Sequence, residues 1–154
     1  MPTDPLPLEF QFLGTGSMVP TATRNVSSVG LHNGLDWWMF DCGEGTQHQM
    51  NDPRSKIRPS RISRIFVTHL HGDHVFGLPG LLCAMKGREP QVQNRNSHDP
   101  VVLVGPQGLR EFARTILMIT GTQLTYRYVV HELWPDPAGQ LPLIGGSGSG
   151  SGSD

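Results

Sequence analysis

Apolar residues recur along the chain with two different spacings, which predict strands and helices in turn. Alternating apolar positions predict a strand at 8–13, and strand-like runs at 26–32 and 35–42 flank Asn33–Gly34, a dipeptide typical of a tight hairpin turn. The remaining predicted elements are a short helix at 44–52, a strand at 64–68, a helix from Asp73 to Lys86, a strand at 101–105, an amphipathic helix that opens at Pro106, and a last strand at 123–133.

The order of these elements predicts the fold class. A three-stranded meander is followed by strand, helix, strand, helix and strand, which indicates an α/β fold with a mixed β-sheet and not an all-β barrel. With 154 residues the chain is long enough for one small domain, which we place at 1–144. Residues 145–154 are rich in Gly and Ser and are expected to form a flexible tail.

Composition narrows the possible functions. The formal net charge of −1 gives no global argument for nucleic-acid binding, and none against a local basic patch. Cys42 and Cys83 are too few and too far apart for a disulfide scaffold, so we expect a reduced, intracellular protein. The first ten residues lack the pattern of a signal peptide, and no apolar run approaches transmembrane length, so no membrane partner is expected.

The candidate chemistry is concentrated in THLHGDH, residues 68–74. His69, His71, Asp73 and His74 are four possible metal ligands that directly follow an apolar strand-like run. In extended chain, residues i and i+2 point the same way, so His69 and His71 can converge on one ion. Asp73 and His74 begin a helix and can face a second ion. Imidazole and carboxylate ligands suit Zn²⁺, and this density of ligands disfavours the alternative of an ordinary His-rich loop.

Flanking segments make the motif more specific. THLHGDH is similar to the H-x-H-x-D-H signature of the metallo-β-lactamase superfamily. Together with FLGTGS (12–17), TRNVSSVGL (23–31), FDCGEGTQHQM (40–50), VFGLPGLL (75–82), VGPQGLREF (104–112) and YVVHEL (128–133), it resembles ribonuclease Z, the short-form ElaC-type tRNA 3′-processing endonuclease. The resemblance covers residues 8–133 and implies the N-terminal half of an αββα sandwich.

The resemblance also implies an activity and roles for the four ligands. A zinc-dependent phosphodiesterase of this family removes 3′ trailers from precursor tRNA, with two Zn²⁺ per complete site. By similarity, His69 and His71 bind one zinc, Asp73 and His74 bind the other, and Asp73 also accepts the proton of the attacking water. The complete enzyme is expected to be a homodimer in the cytoplasm, or in the nucleus of a eukaryote.

Residues outside the motif are assigned supporting roles. Asp41 resembles the family aspartate that supports the metal-binding histidines, with a turn-capping aspartate as the alternative. PTATRN (20–25) resembles a family loop near the scissile phosphate, so Arg24 and Asn25 are candidate substrate-binding residues. The family usually has Lys at the third position of this loop, where this chain has Ala22, which bears on discrimination against tRNA that already carries CCA.

Other residues of the right type receive a structural interpretation. His48 and His131 are expected to be structural, and both cysteines are expected to be buried apolar residues. The basic segment at 53–64, with Arg54, Lys56, Arg58, Arg61 and Arg64, could track an RNA backbone or be a solvated loop, and the sequence does not favour either.

Two readings of the function remain open. The family places a further His, a bridging Asp and another His downstream of the segments matched here, so the chain resembles an N-terminal fragment and is expected to be inactive alone. The alternative is a non-catalytic half, or a partner-dependent metal-binding fragment. A different hydrolase of the superfamily, such as a thioesterase or lactonase, is disfavoured by FDCGEGTQ.

Overall fold

The computed structural model describes residues 8–85 and 99–134, and in this part of the chain it contains one six-stranded sheet. The strands lie in sequence order: β1 (Glu9–Gly14), β2 (Ser28–His32), β3 (Trp37–Phe40), β4 (Ile62–Phe66), β5 (Val101–Pro106) and β6 (Tyr128–Leu133). The first three strands are antiparallel, and β3 to β6 run parallel. This confirms the predicted α/β class with a mixed sheet. The predicted tail at 145–154 lies outside the described residues.

The predicted hairpin between β2 and β3 is confirmed. The Asn33 side-chain oxygen accepts hydrogen bonds from the backbone N–H groups of Leu35 and Asp36 at 3.0 and 2.9 Å. Gly34 takes a φ of 88°, a conformation that glycine adopts without strain. The turn therefore follows from local chemistry, and it fixes the register in which Val29 lies opposite Phe40.

The helices are α1 (Thr46–Met50), α2 (Gly72–Val75), α3 (Leu78–Ala84) and α4 (Leu109–Ile119), with a 3₁₀ turn at Pro59–Arg61. The prediction of one helix from Asp73 to Lys86 is wrong, because Phe76 and Gly77 separate α2 from α3. The Gly77 N–H donates to the carbonyl of Cys42 at 2.9 Å, a partner far away in sequence. The predicted end at Lys86 lies outside the described residues.

Two other predicted boundaries are also corrected. Pro106 is the last residue of β5, and α4 begins at Leu109 after Gly108, whose φ is 96°. Glu132 on β6 accepts hydrogen bonds from the backbone N–H groups of Gly108 and Arg110 at 2.9 and 3.0 Å, and so satisfies free donors at the start of this helix. The last strand, predicted from 123, begins only at Tyr128.

The helices cover one face of the sheet and form the core with it. The buried cluster includes Trp37, Met39, Ile65, Val101 and Leu103 from the strands and Leu78, Leu81, Leu82, Leu109 and Ala113 from the helices. On the opposite face Phe10 and Phe12 are 58% and 66% exposed, and Phe40 stacks on Phe66 with ring centroids 5.0 Å apart.

Cys42 is buried as predicted, but Cys83 is half-buried and so is not a core residue. Among the described residues no helix combines the length and apolarity needed to cross a membrane.

Candidate metal centre

The candidate centre lies where two neighbouring parallel strands end. Phe40 at the end of β3 is in register with Phe66 at the end of β4, and the next residue, Asp41, donates its N–H to the carbonyl of Phe66 at 2.7 Å. Since the carboxyl ends of parallel strands meet at one edge of a sheet, the chain after β3 and the chain after β4 converge there. The THLHGDH motif follows β4 through a short loop into α2, and this convergence places Asp41 beside it.

The four predicted ligands form one cluster. The ring centroids of His69 and His71 are 4.7 Å apart, and those of His69 and His74 are 4.0 Å apart. His74 Nε2 lies 3.5 Å from Asp73 Oδ2. Within the described residues, however, no group of three or more His, Cys, Asp or Glu side chains is arranged to hold one metal ion. The division of the four into two pairs, one for each ion, stays a prediction.

Asp41 is the buried anchor of this cluster, with 5% of its surface exposed. Its carboxylate accepts hydrogen bonds from the Thr68 N–H at 2.8 Å, the Thr68 hydroxyl at 2.9 Å and the Ser27 hydroxyl at 3.1 Å. His74 Nδ1 lies 2.6 Å from Asp41 Oδ2. Asp41 itself takes a φ of 59°, a left-handed conformation that aspartate tolerates better than most residues. Asp41 thus contacts Thr68 and His74 of the motif, and its role as a support of metal-binding histidines stays a prediction.

The donor set at His74 and Asp73 fits a zinc ion. A carboxylate only accepts hydrogen bonds, so the short contact to Asp41 makes His74 Nδ1 the donor and leaves Nε2 with its lone pair. That nitrogen is next to the Asp73 carboxylate, and an imidazole nitrogen with a carboxylate oxygen is a pair that zinc accepts. The described residues thus offer a partial ligand set of the right chemistry.

Asp73 is held by a loop that is distant in sequence. The backbone N–H of Met18 donates to Asp73 Oδ2 at 2.8 Å, and Met18 takes a φ of 66° to do so. This hydrogen bond, with smaller contributions from His74 and His71, lowers the pKa of Asp73 below its usual value and outweighs the opposing effect of burial. The carboxylate is therefore ionised at neutral pH, as a metal ligand or proton acceptor must be.

Two glycines allow the loops of the centre to approach each other closely. A Cβ on Gly43 would lie 2.3 Å from the carbonyl oxygen of Asp73, and one on Gly77 would lie 2.1 Å from the carbonyl oxygen of Gly43. Real Cβ atoms do not approach backbone this closely, so any side chain at these positions must displace the backbone that carries the motif.

We expect Gly77→Ala to destabilise the fold by about 1–3 kcal/mol, the usual cost of overpacking. Its Cβ would meet the backbone of Gly43 and Cys42, and the Cys42 N–H donates to the carbonyl of His74 at 2.8 Å. Gly80→Ala is the matched control, because the added methyl there meets the end of the flexible Gln47 side chain and alanine favours the helix α3. Chemical denaturation of both variants checks this, and equal stabilities would contradict it.

Two contributors to the centre were missed by the sequence reasoning. The Thr68 hydroxyl lies 3.0 Å from His69 Nδ1 and also contacts Asp41. The sequence did contain a signal for Thr68, because this residue directly precedes the candidate ligand His69 in the motif. The Met18 backbone N–H carried no signal, since its contact depends on the path of a loop and not on a side chain.

The candidate substrate-binding residues lie on the loop that includes Met18. The Asn25 carbonyl accepts from the N–H groups of Thr15 and Gly16 at 3.0 and 2.7 Å, which fixes the base of the loop. Arg24 is exposed. A cleft of about 280 Å³ separates this loop from the motif, with a lining of Met18, Val19, Pro20, Val26, Glu44, Gly72, Asp73 and Phe76. Arg24 and Asn25 are therefore near the centre through their loop, but they do not line the cleft.

His48, His131 and the basic segment at 53–64 are not part of the ligand cluster. His131 is exposed on β6, two strands from the strand that leads into the motif, and His48 is exposed on α1. The five cations of segment 53–64 all have partners within the chain: Asp52 for Arg54 at 2.8 Å, Glu9 for Lys56, the Ser55 and Leu35 carbonyls for Arg58 and Arg61, and the Trp38 ring for Arg64 at 5.0 Å. These contacts favour a structural role, and RNA binding by this segment stays a prediction.

Comparison with known proteins identifies the relatives of the chain. Residues 8–95 match the family model described as anti-Pycsar protein Apyc1. Zinc phosphodiesterase ELAC protein 1 of Mus musculus is 46% identical over 136 residues, which are 88% of this chain and 36% of that protein. Ribonuclease Z of Anoxybacillus flavithermus is 47% identical over 129 residues, which are 81% of this chain and 38% of the relative. The chain thus spans little more than a third of the length of these relatives.

Solved structures agree with the observed architecture. The crystal structure of human tRNase Z, short form (ELAC1), superposes with a TM-score of 0.71 at 44% identity, over 84% of this chain and 46% of that one. The metallo-β-lactamase fold protein YhfI from Bacillus subtilis superposes with a TM-score of 0.60 at 15% identity, over 84% of this chain and 48% of YhfI, a likeness of fold alone. The chain is thus similar in sequence to ribonuclease Z and ELAC proteins and in fold to metallo-β-lactamase fold proteins, and it belongs to the family described as anti-Pycsar protein Apyc1.

Proposed function

We propose that this chain is part of a zinc-dependent endoribonuclease that removes 3′ trailers from precursor tRNA. One observation carries the proposal: His69, His71, Asp73 and His74 form one cluster, and buried Asp41 contacts its His74. It occurs in a chain that is 46% and 47% identical to proteins named zinc phosphodiesterase and ribonuclease Z. Water would attack the phosphodiester, leaving a 3′-hydroxyl on the tRNA and a 5′-phosphate on the trailer.

The residues of the chain have distinct proposed tasks. His69 and His71 hold one zinc, and Asp73 and His74 hold the other. When bound, the two ions supply a lowered pKa for water and positive charge against the phosphate. Asp73, whose charged form the Met18 N–H stabilises, would accept the proton of the attacking water. Asp41 keeps His74 in the orientation and tautomer that present Nε2.

Substrate contacts are proposed on the loop at 20–25. The exposed Arg24 guanidinium is free of the motif and can make a charge-assisted contact to a phosphate, while Asn25 fixes the base of the loop. At the other end of this loop the Met18 N–H donates to Asp73. A phosphate held by the loop would therefore lie next to the candidate centre.

The ligand count favours a second, more limited reading of the isolated chain. A catalytic zinc normally has three protein ligands and a water molecule, whereas each ion here would have two from the described residues. We propose that further ligands come from outside these residues, and that 1–144 is one incomplete domain followed by a linker. In isolation the chain would then be a partner-dependent metal-binding half.

The cellular setting is proposed on similar grounds. The partner is precursor tRNA, and the complete enzyme is a homodimer. Both cysteines are free, which suits the reducing cytoplasm, or the nucleus in a eukaryote.

The test uses a full-length form, in which residues 8–133 of this chain replace the matching part of Mus musculus ELAC protein 1. We expect it to cut precursor tRNA after the mature 3′ end, to lose this activity with a chelator and to regain it with Zn²⁺. The unaltered mouse protein is the control. Cleavage that survives chelation, or cleavage at unrelated positions while the control cuts correctly, would contradict the proposal.

A further prediction concerns Ala22. We expect the full-length form to reject tRNA that carries CCA less strongly than its Ala22→Lys variant, because a lysine at this exposed position adds a cation to the loop beside the candidate centre. The measurement is the ratio of cleavage rates for precursors with and without CCA. Identical ratios for the two proteins would rule out a role for position 22.

A further inference from the structure

The Thr68 hydroxyl stands between a buried carboxylate and a candidate metal ligand. Thr68 Oγ1 lies 2.9 and 3.1 Å from the two carboxylate oxygens of Asp41, and 3.0 Å from Nδ1 of His69. His74 Nδ1 has a closer partner, since it is 2.6 Å from Asp41 and 3.5 Å from Thr68 Oγ1. One carboxylate thus reaches two imidazoles, one directly and one through a hydroxyl group.

The number of hydrogens available for these contacts determines which group donates and which accepts in each hydrogen bond. The ionised carboxylate of Asp41 can only accept, and it is surrounded by the Ser27 hydroxyl, the Thr68 N–H, the Thr68 hydroxyl and His74 Nδ1. Thr68 has a single hydroxyl hydrogen. Because its oxygen is within hydrogen-bond distance of a group that only accepts, that hydrogen points to Asp41. The Thr68 oxygen then has lone pairs left for His69.

We propose that Thr68 is a positioning residue that fixes the tautomer of His69. With the Thr68 hydrogen committed to Asp41, the contact between Thr68 Oγ1 and His69 Nδ1 requires Nδ1 to carry the proton and donate it. A neutral imidazole with a proton on Nδ1 has its lone pair on Nε2. Asp41 therefore sets both imidazoles to bind through Nε2, His74 directly and His69 through Thr68. The inference deepens the proposed function and rests on its metal centre.

Two substitutions at position 68 separate this role from packing. Thr68→Val keeps the branched shape and removes the hydroxyl, whereas Thr68→Ser keeps the hydroxyl and removes the methyl group. Without the hydroxyl, His69 Nδ1 loses its acceptor and the imidazole is free to adopt the other tautomer. His74 keeps its direct contact with Asp41 in both variants and serves as an internal control for the fold of the loop.

The deciding measurement is the tautomer of each histidine in the metal-free chain, from long-range ¹H–¹⁵N correlation NMR at pH 8, where an ordinary imidazole is neutral. We expect His69 with the proton on Nδ1 in the wild-type chain and in Thr68→Ser, and a shift toward Nε2–H in Thr68→Val, with His74 unchanged. A wild-type His69 protonated on Nε2, or a Thr68→Val variant with an unchanged His69 tautomer, would overturn the inference.

Zinc affinity provides a second readout. Removal of an outer partner of a metal-bound histidine typically weakens metal affinity 10–100-fold, so in the full-length form we expect about a tenfold loss in Thr68→Val and recovery in Thr68→Ser by calorimetry with ZnCl₂. Equal affinities in the wild-type full-length form and its two variants would contradict the proposed role. If the wild-type full-length form bound no zinc, the proposed function would fail, while the NMR result would still decide the tautomer.

Discussion

Replacement of Asp73 by Ala in the full-length form is expected to lower turnover on precursor tRNA by about 10³-fold or more, because it removes a metal ligand and the proton acceptor together. The fold should survive, since Met18 is exposed and its N–H, which donates to Asp73, can bond to water instead. His74→Ala should have an effect of similar size, because it removes Nε2 from the same pair.

Steady-state kinetics of the full-length form and its variants check this expectation, with circular dichroism to confirm folding. Asp52→Ala is the matched control, since it makes the same chemical change at a surface ion pair with Arg54, away from the motif. We expect the control to keep its turnover. Near-normal turnover in Asp73→Ala or His74→Ala would exclude the roles given to these residues.

The second large effect concerns the 154-residue chain alone, which we expect not to process precursor tRNA. On the proposed division the described residues would supply two ligands for each ion, so zinc should bind weakly and the spacing between the two ions should not be fixed. The sheet also has a face on which Phe10 and Phe12 are more than half exposed, and such a surface favours association between molecules.

Calorimetric titration with zinc, together with a trailer-cleavage assay on purified 1–154, tests this expectation. Weak binding without cleavage is the expected outcome. Two tightly bound zinc ions per chain with specific 3′ cleavage would contradict it. That result would mean that a residue such as His131, or a second copy of the chain, completes the site.

Features of the fold that depend on local chemistry were predicted from the sequence. The hairpin between β2 and β3 follows from Asn33 and Gly34, whose side-chain hydrogen bonds and positive φ need no distant partner. The cluster of His69, His71, Asp73 and His74 was also predicted, because all four lie on one short loop and helix start whose residues cannot separate far.

Features that depend on distant contacts were not predicted. The break between α2 and α3 follows from the bond of the Gly77 N–H to Cys42, 35 positions earlier, and no local pattern indicates that bond. The role of Thr68 depends on Asp41, which lies 27 positions away and arrives beside it through strand pairing. Met18 reaches Asp73 across 55 positions. In each case tertiary packing decides the outcome.

The most direct test of the central claim, that the THLHGDH motif binds zinc, is anomalous diffraction at the zinc edge from crystals of the zinc-loaded full-length form. The account predicts two zinc ions, one about 2.0–2.1 Å from Nε2 of His69 and from a ring nitrogen of His71, and one at similar distances from Nε2 of His74 and the Asp73 carboxylate. Zinc bound elsewhere, with these four side chains uncoordinated, would contradict it.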